Sequence, residues 1–151
     1  GSIIGFSDVH TRNHLYRAII EGIGYALREG LESIQKSQHH KIHSIRVSGG
    51  GSMSKAICQI TADIFGLPVS RVQTFETSSL GAAIAVFVAA KEFSNIEEGI
   101  QNMSHVRDTF TPNAEAHKKY DYLYKKVYLK MYPKLKNIYK DITSYRKKNK
   151  Q

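Results

Sequence analysis

The chain has 151 residues, 41% hydrophobic and 23% charged, which is the composition of one globular domain large enough to bury a core. No run approaches the roughly 18 consecutive apolar residues of a membrane-spanning helix, and the single cysteine, Cys58, excludes an internal disulfide and favours the cytoplasm. The formal net charge of +9 is uneven, since residues 117–151 carry +10 and residues 1–116 carry −1.

The first half of the chain predicts a helix, a strand and a second helix. Apolar residues recur at three- and four-residue steps over residues 13–36, which indicates an amphipathic helix. Residues 42–47 form an apolar run that predicts a strand, and three consecutive glycines follow it. Residues 53–65 predict the next helix, which Ser52 or Ser54 is suited to cap.

The middle of the chain predicts one more strand and two helices. Residues 68–73 predict a strand near a sheet edge, because proline cannot donate a hydrogen bond to a ladder. Thr77 or Ser78 is suited to cap a helix that continues to residue 90. A shorter helix is predicted over residues 96–103.

The last part of the chain combines a loop with a long basic helix. Residues 106–113 predict a loop, and a tyrosine-rich helical pattern follows from residue 114. Pro133 is expected to kink or interrupt that helix, because it removes a hydrogen bond and clashes with the preceding turn. We predict one domain over residues 1–142 and a basic, frayed tail over residues 143–151.

This order of strands and helices indicates an α/β fold. Only two strands are clear and the first residues give a third, doubtful one, whereas a two-stranded sheet is marginal in water. The remaining strands are therefore expected from another part of a larger protein.

The glycine turn after the first strand carries the strongest functional signal. Without a Cβ, Gly49, Gly50 and Gly51 let a planar or anionic ligand approach the backbone, and the next helix offers free N–H groups. The P-loop and dinucleotide patterns are not met, since Ser54 stands where each requires glycine. A tight turn without a ligand is the alternative.

Several spaced segments together resemble the FGGY family of carbohydrate kinases. The first is Gly-Ser-Ile-Ile-Gly-Phe at residues 1–6, followed by His-Leu-Tyr-Arg-Ala-Ile-Ile-Glu at residues 14–21. The second is the glycine turn and its helix, residues 48–63, similar to the adenosine-binding motif of the family. Leu-Pro-Val at 67–69, Glu-Thr-Ser-Ser-Leu-Gly-Ala-Ala at 76–83 and Phe-Thr-Pro-Asn at 110–113 complete the resemblance.

The resemblance implies a fold and a nucleotide site. The fold would be the C-terminal domain of an actin-like, ribonuclease H-like ATPase, a partial sheet flanked by helices, with a long C-terminal helical segment. Gly49 and Gly50 would lie against the adenosine of ATP, Gly51 would permit the turn, and Ser54 would face the base. Lys55 could reach the nucleotide, although the solvent-facing alternative is favoured.

The resemblance also implies what this chain lacks. In the family, the phosphate-gripping hairpin, the catalytic aspartate and the sugar pocket precede the matching segments, so no catalytic residue is assigned here and Asp8 is not given that role. ATP and Mg²⁺ are the expected cofactors, with Mg²⁺ held mainly by the missing segments. The expected partners are the N-terminal lobe of the same kinase and a keto-sugar or polyol, a pentulose being favoured.

Other functions receive less support. The histidines at positions 39, 40 and 43 have no carboxylate or cysteine partner in sequence, so a solvated loop is favoured over a metal site. The tyrosines of the basic helix fall at helical spacing, which favours packing and a homodimer over nucleic-acid or membrane binding. Two alternatives stay open: another actin-like ATPase, and a non-catalytic binding or assembly domain that uses the basic helix.

Overall fold

The structure is a computed structural model that describes residues 2–38 and 41–149, without the side chain of Gln38. In chain order the elements are α1 (Arg12–Gln38), β1 (Ile45–Val47), a 3-10 turn (Gly50–Met53), α2 (Lys55–Phe65), β2 (Val69–Val72), α3 (Thr77–Ala89), α4 (Ile96–Met103), β3 (Val106–Phe110), α5 (Ala114–Leu123), a π turn (Tyr124–Tyr128) and α6 (Leu129–Lys148).

The sheet has three strands in the order β1-β2-β3 over the described residues. Strand β1 runs parallel to β2, with Ile45 opposite Val69, and β3 runs antiparallel to β2, with Phe110 opposite Val69. Helix α2 crosses from β1 to β2, so the carboxyl ends of these two strands lie side by side. The glycine turn follows β1 at that end of the sheet.

Two predictions about the sheet were wrong. The loop predicted over residues 106–113 contains β3, and β2 is the central strand instead of an edge strand. Pro68 lies one residue before β2, so it removes no ladder hydrogen bond, and its carbonyl accepts from the Ile45 N–H at 2.9 Å.

Helix ends follow local side-chain chemistry. Ser54 caps α2, because its hydroxyl accepts from the Ile57 N–H, and Gly66 ends that helix in the left-handed region at φ +66°. The predicted cap of α3 by Thr77 or Ser78 was wrong, since Glu76 occupies the cap position and no side chain bonds there.

The largest core lies between α1, α2 and α5. Helices α1 and α5 both pack on α2, and the buried side chains of the cluster are Tyr25, Ile60, Ile64, Tyr120 and Tyr124. The Tyr25 ring centroid lies 5.9 Å from that of Tyr124 and 5.3 Å from that of Tyr128. Aromatic packing therefore joins the first helix to the last third of the chain.

The prediction that Pro133 interrupts the C-terminal helix was wrong. Helix α6 continues through Pro133, and the irregularity is the π turn at Tyr124–Tyr128. There the Leu129 N–H bonds the carbonyl five residues back, on Tyr124. A π turn contains one more residue than an α-helical turn. In this turn the Tyr124 and Tyr128 rings stack with their centroids 5.7 Å apart, next to Tyr25. Helix α6 extends to Lys148, and the division of the chain at residue 142 stays a prediction.

Candidate nucleotide-binding turn

The backbone of the glycine turn has one open face. Gly49 has φ +80° and ψ 179°, a conformation that side chains strongly disfavour, and the 3-10 turn Gly50–Met53 follows it. A Cβ added at Gly50 or at Gly51 would meet no described atom within 4 Å. A ligand can therefore approach the backbone at these two positions.

Two serines fix the turn from within. The Ser52 hydroxyl is buried and donates to the Gly49 carbonyl at 2.7 Å. Ser54 is half-buried, and its cap of α2 uses an oxygen lone pair, so the hydroxyl hydrogen stays available. That Ser54 faces an adenine base stays a prediction.

The turn is also tied to the loop that follows β2. The Gly49 N–H donates to the Phe75 carbonyl at 3.2 Å. The turn and this loop extend the carboxyl ends of two parallel strands, which is where open α/β sheets bind their ligands. The structure thus places the predicted site at the edge of the sheet suited to it.

Arg71, which the sequence analysis did not single out, supports the turn from below. Its guanidinium is buried, and its Nη1 donates to the Ser52 carbonyl at 2.6 Å and to the Met53 carbonyl at 2.9 Å. Its Nε and Nη2 both lie 2.7 Å from Oδ2 of Asp108 on β3. The hydrogen bond from Arg71 lowers the pKa of the Asp108 carboxyl, and Lys55 and Arg107 add smaller favourable charge interactions.

A cavity of about 430 Å³ lies beside the turn, between the start of α2 and the loop after β2. Lys55, Arg71 and Arg107 are the basic side chains in its lining, together with Ser52 and Thr74. Lys55 is exposed, as favoured from the sequence. The rim of this cavity is positively charged.

The polar residues Gln59 and Asp63 of α2 make structural contacts. Gln59 donates to Asp63 and to the Thr111 carbonyl, each at 2.9 Å, and Asp63 also accepts from the Asn113 N–H at 2.8 Å. These bonds fasten α2 to the loop before α5. The Cys58 thiol is buried and donates to the Ser52 carbonyl at 3.4 Å, and burial raises its pKa.

No metal centre is evident in the part of the chain that the structure describes, where no three His, Cys, Asp or Glu side chains lie close enough to hold an ion. His39 and His40, weighed above as metal ligands, lie outside the described residues. His14 accepts from the Thr11 N–H at 3.1 Å at the start of α1. Among residues 2–38 and 41–149, no helix is long and apolar enough to cross a bilayer.

The chain is similar in sequence to known carbohydrate kinases. The model of the C-terminal domain of the FGGY family of carbohydrate kinases matches residues 1–90. Xylulose kinase from Staphylococcus epidermidis is 36% identical over 142 residues, which is 94% of this chain and 28% of that protein. Glycerol kinase from Caldanaerobacter subterraneus is 36% identical over 119 residues, 79% of this chain and 24% of that protein.

A solved structure has the same fold. Xylulose kinase from Lactobacillus acidophilus superposes with a TM-score of 0.81 at 24% identity, covering 94% of this chain and 28% of that one. The predicted actin-like fold is thereby confirmed. The chain spans about 28% of the length of the first relatives it matches.

Proposed function

Because this chain belongs to the FGGY family of carbohydrate kinases, we propose that it is the adenosine-binding part of an ATP-dependent kinase. The observation that carries the proposal is the glycine turn. Gly49 adopts a positive φ, the backbone at Gly50 and Gly51 is open, and the turn lies at the carboxyl ends of β1 and β2. Adenosine would lie against Gly49 and Gly50, with Ser54 facing the base.

The residues present fit the nucleoside end of ATP. A Cβ at Gly50 or Gly51 would project into the space that a ligand would occupy. ATP would supply the phosphoryl group, and the residues of this chain would hold and orient the adenosine. The groups that grip the phosphates, bind Mg²⁺, accept the proton of the sugar hydroxyl and bind the sugar belong to the preceding lobe in this proposal.

The surface of the domain is consistent with a missing lobe. Helix α1 exposes apolar side chains at Tyr16, Ile19, Ile23, Leu27 and Ile34, and α3 exposes Val86 and Phe87. Strand β1 pairs on one side only among the described residues. We propose that preceding strands pair with the other side of β1 and cover these faces. Closure of the two lobes over both substrates would exclude water.

The acceptor is proposed to be a keto-sugar or polyol, with a pentulose favoured. The support is the identity to xylulose kinase over nearly the whole chain. The match to glycerol kinase keeps a polyol as the second candidate. The sugar pocket would lie in the preceding lobe, so residues of this chain would not choose between them.

The proposed location is the cytoplasm. The lone cysteine forms no internal disulfide, and its buried thiol is held by the Ser52 carbonyl. Because burial raises the pKa of this thiol, the reactive thiolate is disfavoured. These features suit a reducing compartment.

The experiment that tests the nucleotide proposal is Gly50→Val in the full-length protein that contains this chain. The added side chain would fill open space, so the melting temperature should not change, whereas the Kd for Mg·ADP should rise at least about tenfold. Ser44→Val is the matched control, because Ser44 is exposed at the opposite end of β1. Equal affinities for wild type and Gly50→Val would refute the assignment of the turn.

A second candidate role, self-association, rests on α6. Its apolar residues recur at alternating four- and three-residue steps at Met131, Leu135, Ile138, Ile142 and Tyr145, the pattern of a coiled-coil seam. Ile138 and Tyr145 are exposed. Helix α6 carries seven basic residues and one acidic residue, Asp141. Two copies of this helix would therefore repel each other in a homodimer, whereas an acidic partner would be attracted. Sedimentation at low and high salt separates the two, because salt strengthens the homodimer and weakens the acidic complex.

A further inference from the structure

We propose that Arg71 and Asp108 form a brace that sets the conformation of the nucleotide-binding turn, so that Arg71 is a positioning residue for the nucleotide. This inference rests on the proposed function of the turn. Arg71 would act on the nucleotide through the carbonyls of Ser52 and Met53, which it holds at 2.6 and 2.9 Å.

The contacts of Arg71 use the geometry of its side chain fully. One edge of the guanidinium, Nε and Nη2, faces Asp108, and the remaining nitrogen, Nη1, faces the two carbonyls. Arginine is suited to this role because its planar fork fixes the direction of every N–H group. A lysine at this position could donate either to the carboxylate or to the carbonyls, but it could not hold all three acceptors in one plane.

The other hydrogen bonds of the turn's second half come from the turn itself and from α2. Gly49 is fixed by the Phe75 carbonyl and by the Ser52 hydroxyl, which both act on the first half. In the second half, the Ser52 carbonyl also accepts from the Cys58 thiol of α2 at 3.4 Å. Ser54 donates its N–H to the Gly51 carbonyl at 3.3 Å, accepts from the Cys58 N–H at 3.1 Å and caps α2. Arg71 therefore supplies the shortest contacts between this half of the turn and the sheet.

Asp108 fixes the orientation of the Arg71 guanidinium. Arg71 is only 6% exposed, and a buried guanidinium requires a paired charge. Asp108 lies on β3, whose antiparallel register places it opposite Arg71. The third strand thus contributes to the proposed nucleotide site through the pairing of Asp108 with Arg71.

Arg28 provides a matched control within the same domain. It is 7% exposed, pairs with Asp121 at 2.5 Å and donates to the Ile64 carbonyl at 3.0 Å. Its Nε also pairs with Glu32 at 3.1 Å, so Arg28 resembles Arg71 in burial and in bonding both carboxylate and carbonyl oxygens. The carbonyl that Arg28 holds is at the far end of α2. Loss of either arginine should lower stability, and only loss of Arg71 should weaken nucleotide binding.

The experiment compares Arg71→Gln and Arg71→Lys with Arg28→Gln and Arg28→Lys in the full-length protein. We expect the Kd for Mg·ADP to rise about tenfold in Arg71→Gln and to be partly restored in Arg71→Lys, while both Arg28 variants stay within about twofold of wild type. With ATP and D-xylulose as substrates, the KM for ATP should rise while the KM for D-xylulose stays constant.

Asp108→Asn keeps the test falsifiable if Arg71→Gln does not fold. It keeps the two carbonyl bonds but loosens Arg71, so a rise in Kd of about threefold is expected, with no further loss when it is added to Arg71→Lys. Nucleotide affinity that is unchanged in these variants, or reduced equally in the Arg28 variants, overturns the inference. Failure of the wild type to bind Mg·ADP would instead refute the proposed function.

Discussion

Two buried arginines hold the two ends of α2, and the regions around them differ in packing. Arg28 holds the Ile64 carbonyl at the end of the helix, within the tyrosine-rich core that joins α1 to α5. Arg71 holds the Ser52 and Met53 carbonyls just before the helix begins, below a turn whose other face is open. The same chemistry stabilises a closed core at one end and an open turn, the proposed binding surface, at the other.

The residues that stabilise the fold and those proposed to bind nucleotide therefore lie at opposite ends of α2. The core region buries large side chains around Arg28, whose guanidinium lies 4.2 Å from the centroid of the Tyr124 ring. The turn region leaves Gly50 and Gly51 exposed. Changes in the core should therefore alter the free energy of unfolding, and changes in the turn should alter nucleotide affinity.

The largest effect is expected from Tyr124→Ala. Tyr124 is 1% exposed, and its loss should lower the free energy of unfolding by about 3–5 kcal/mol, as for other buried aromatic residues. At temperatures where the variant is folded, its Kd for Mg·ADP should stay within about twofold of wild type. Chemical denaturation and calorimetry check the two quantities. A parallel loss of affinity would break the proposed separation of core and turn.

Smaller effects are expected at the extremes of pH, where different regions titrate. Asp108 has a pKa below its ordinary 3.8, so it stabilises the fold above about pH 4 and this contribution is lost as the pH falls through its lowered pKa. Burial raises the pKa of Tyr124 to about 12 from 10.0, so its contribution is present below pH 10 and is lost as the pH rises.

Melting temperatures across pH check this assignment. In a plot of melting temperature against pH, Asp108→Asn should reduce the fall in melting temperature at acid pH and leave the alkaline side unchanged. Tyr124→Phe should reduce the fall at alkaline pH and leave the acid side unchanged. Tyr124→Phe also loses the hydrogen bond to Glu32, at 3.1 Å, which should cost about 1 kcal/mol near neutral pH. Identical pH profiles for both variants would contradict the assignment of the acid side to Asp108 and the alkaline side to Tyr124.

Elements governed by local pattern could be predicted from the sequence. The helix expected over residues 96–103 is α4, and that expected over residues 13–36 is α1, extended by one residue at its start and two at its end. Both have apolar residues at helical spacing. The glycine turn was also predicted, because its residues are consecutive and lie between a strand and a helix.

Features that depend on distant residues could not be predicted. Strand β3 carries Val106, Arg107, Asp108, Thr109 and Phe110, which lack the alternation of a half-buried strand. The pairing of Arg71 with Asp108 spans 37 residues and depends on that strand. The π turn and the packing of Tyr124 and Tyr128 on Tyr25 also could not be predicted, because the spacing of tyrosines along one helix does not reveal them.

The turn at residues 49–54 is proposed to hold an adenine nucleotide. The most direct test of this proposal is a calorimetric titration of Mg·ADP, and separately of Mg·GDP, into the full-length protein that contains this chain. We predict a saturable signal with Mg·ADP and binding of Mg·GDP at least about tenfold weaker. Equal binding of the two nucleotides, or the absence of binding by a folded protein, would contradict the claim.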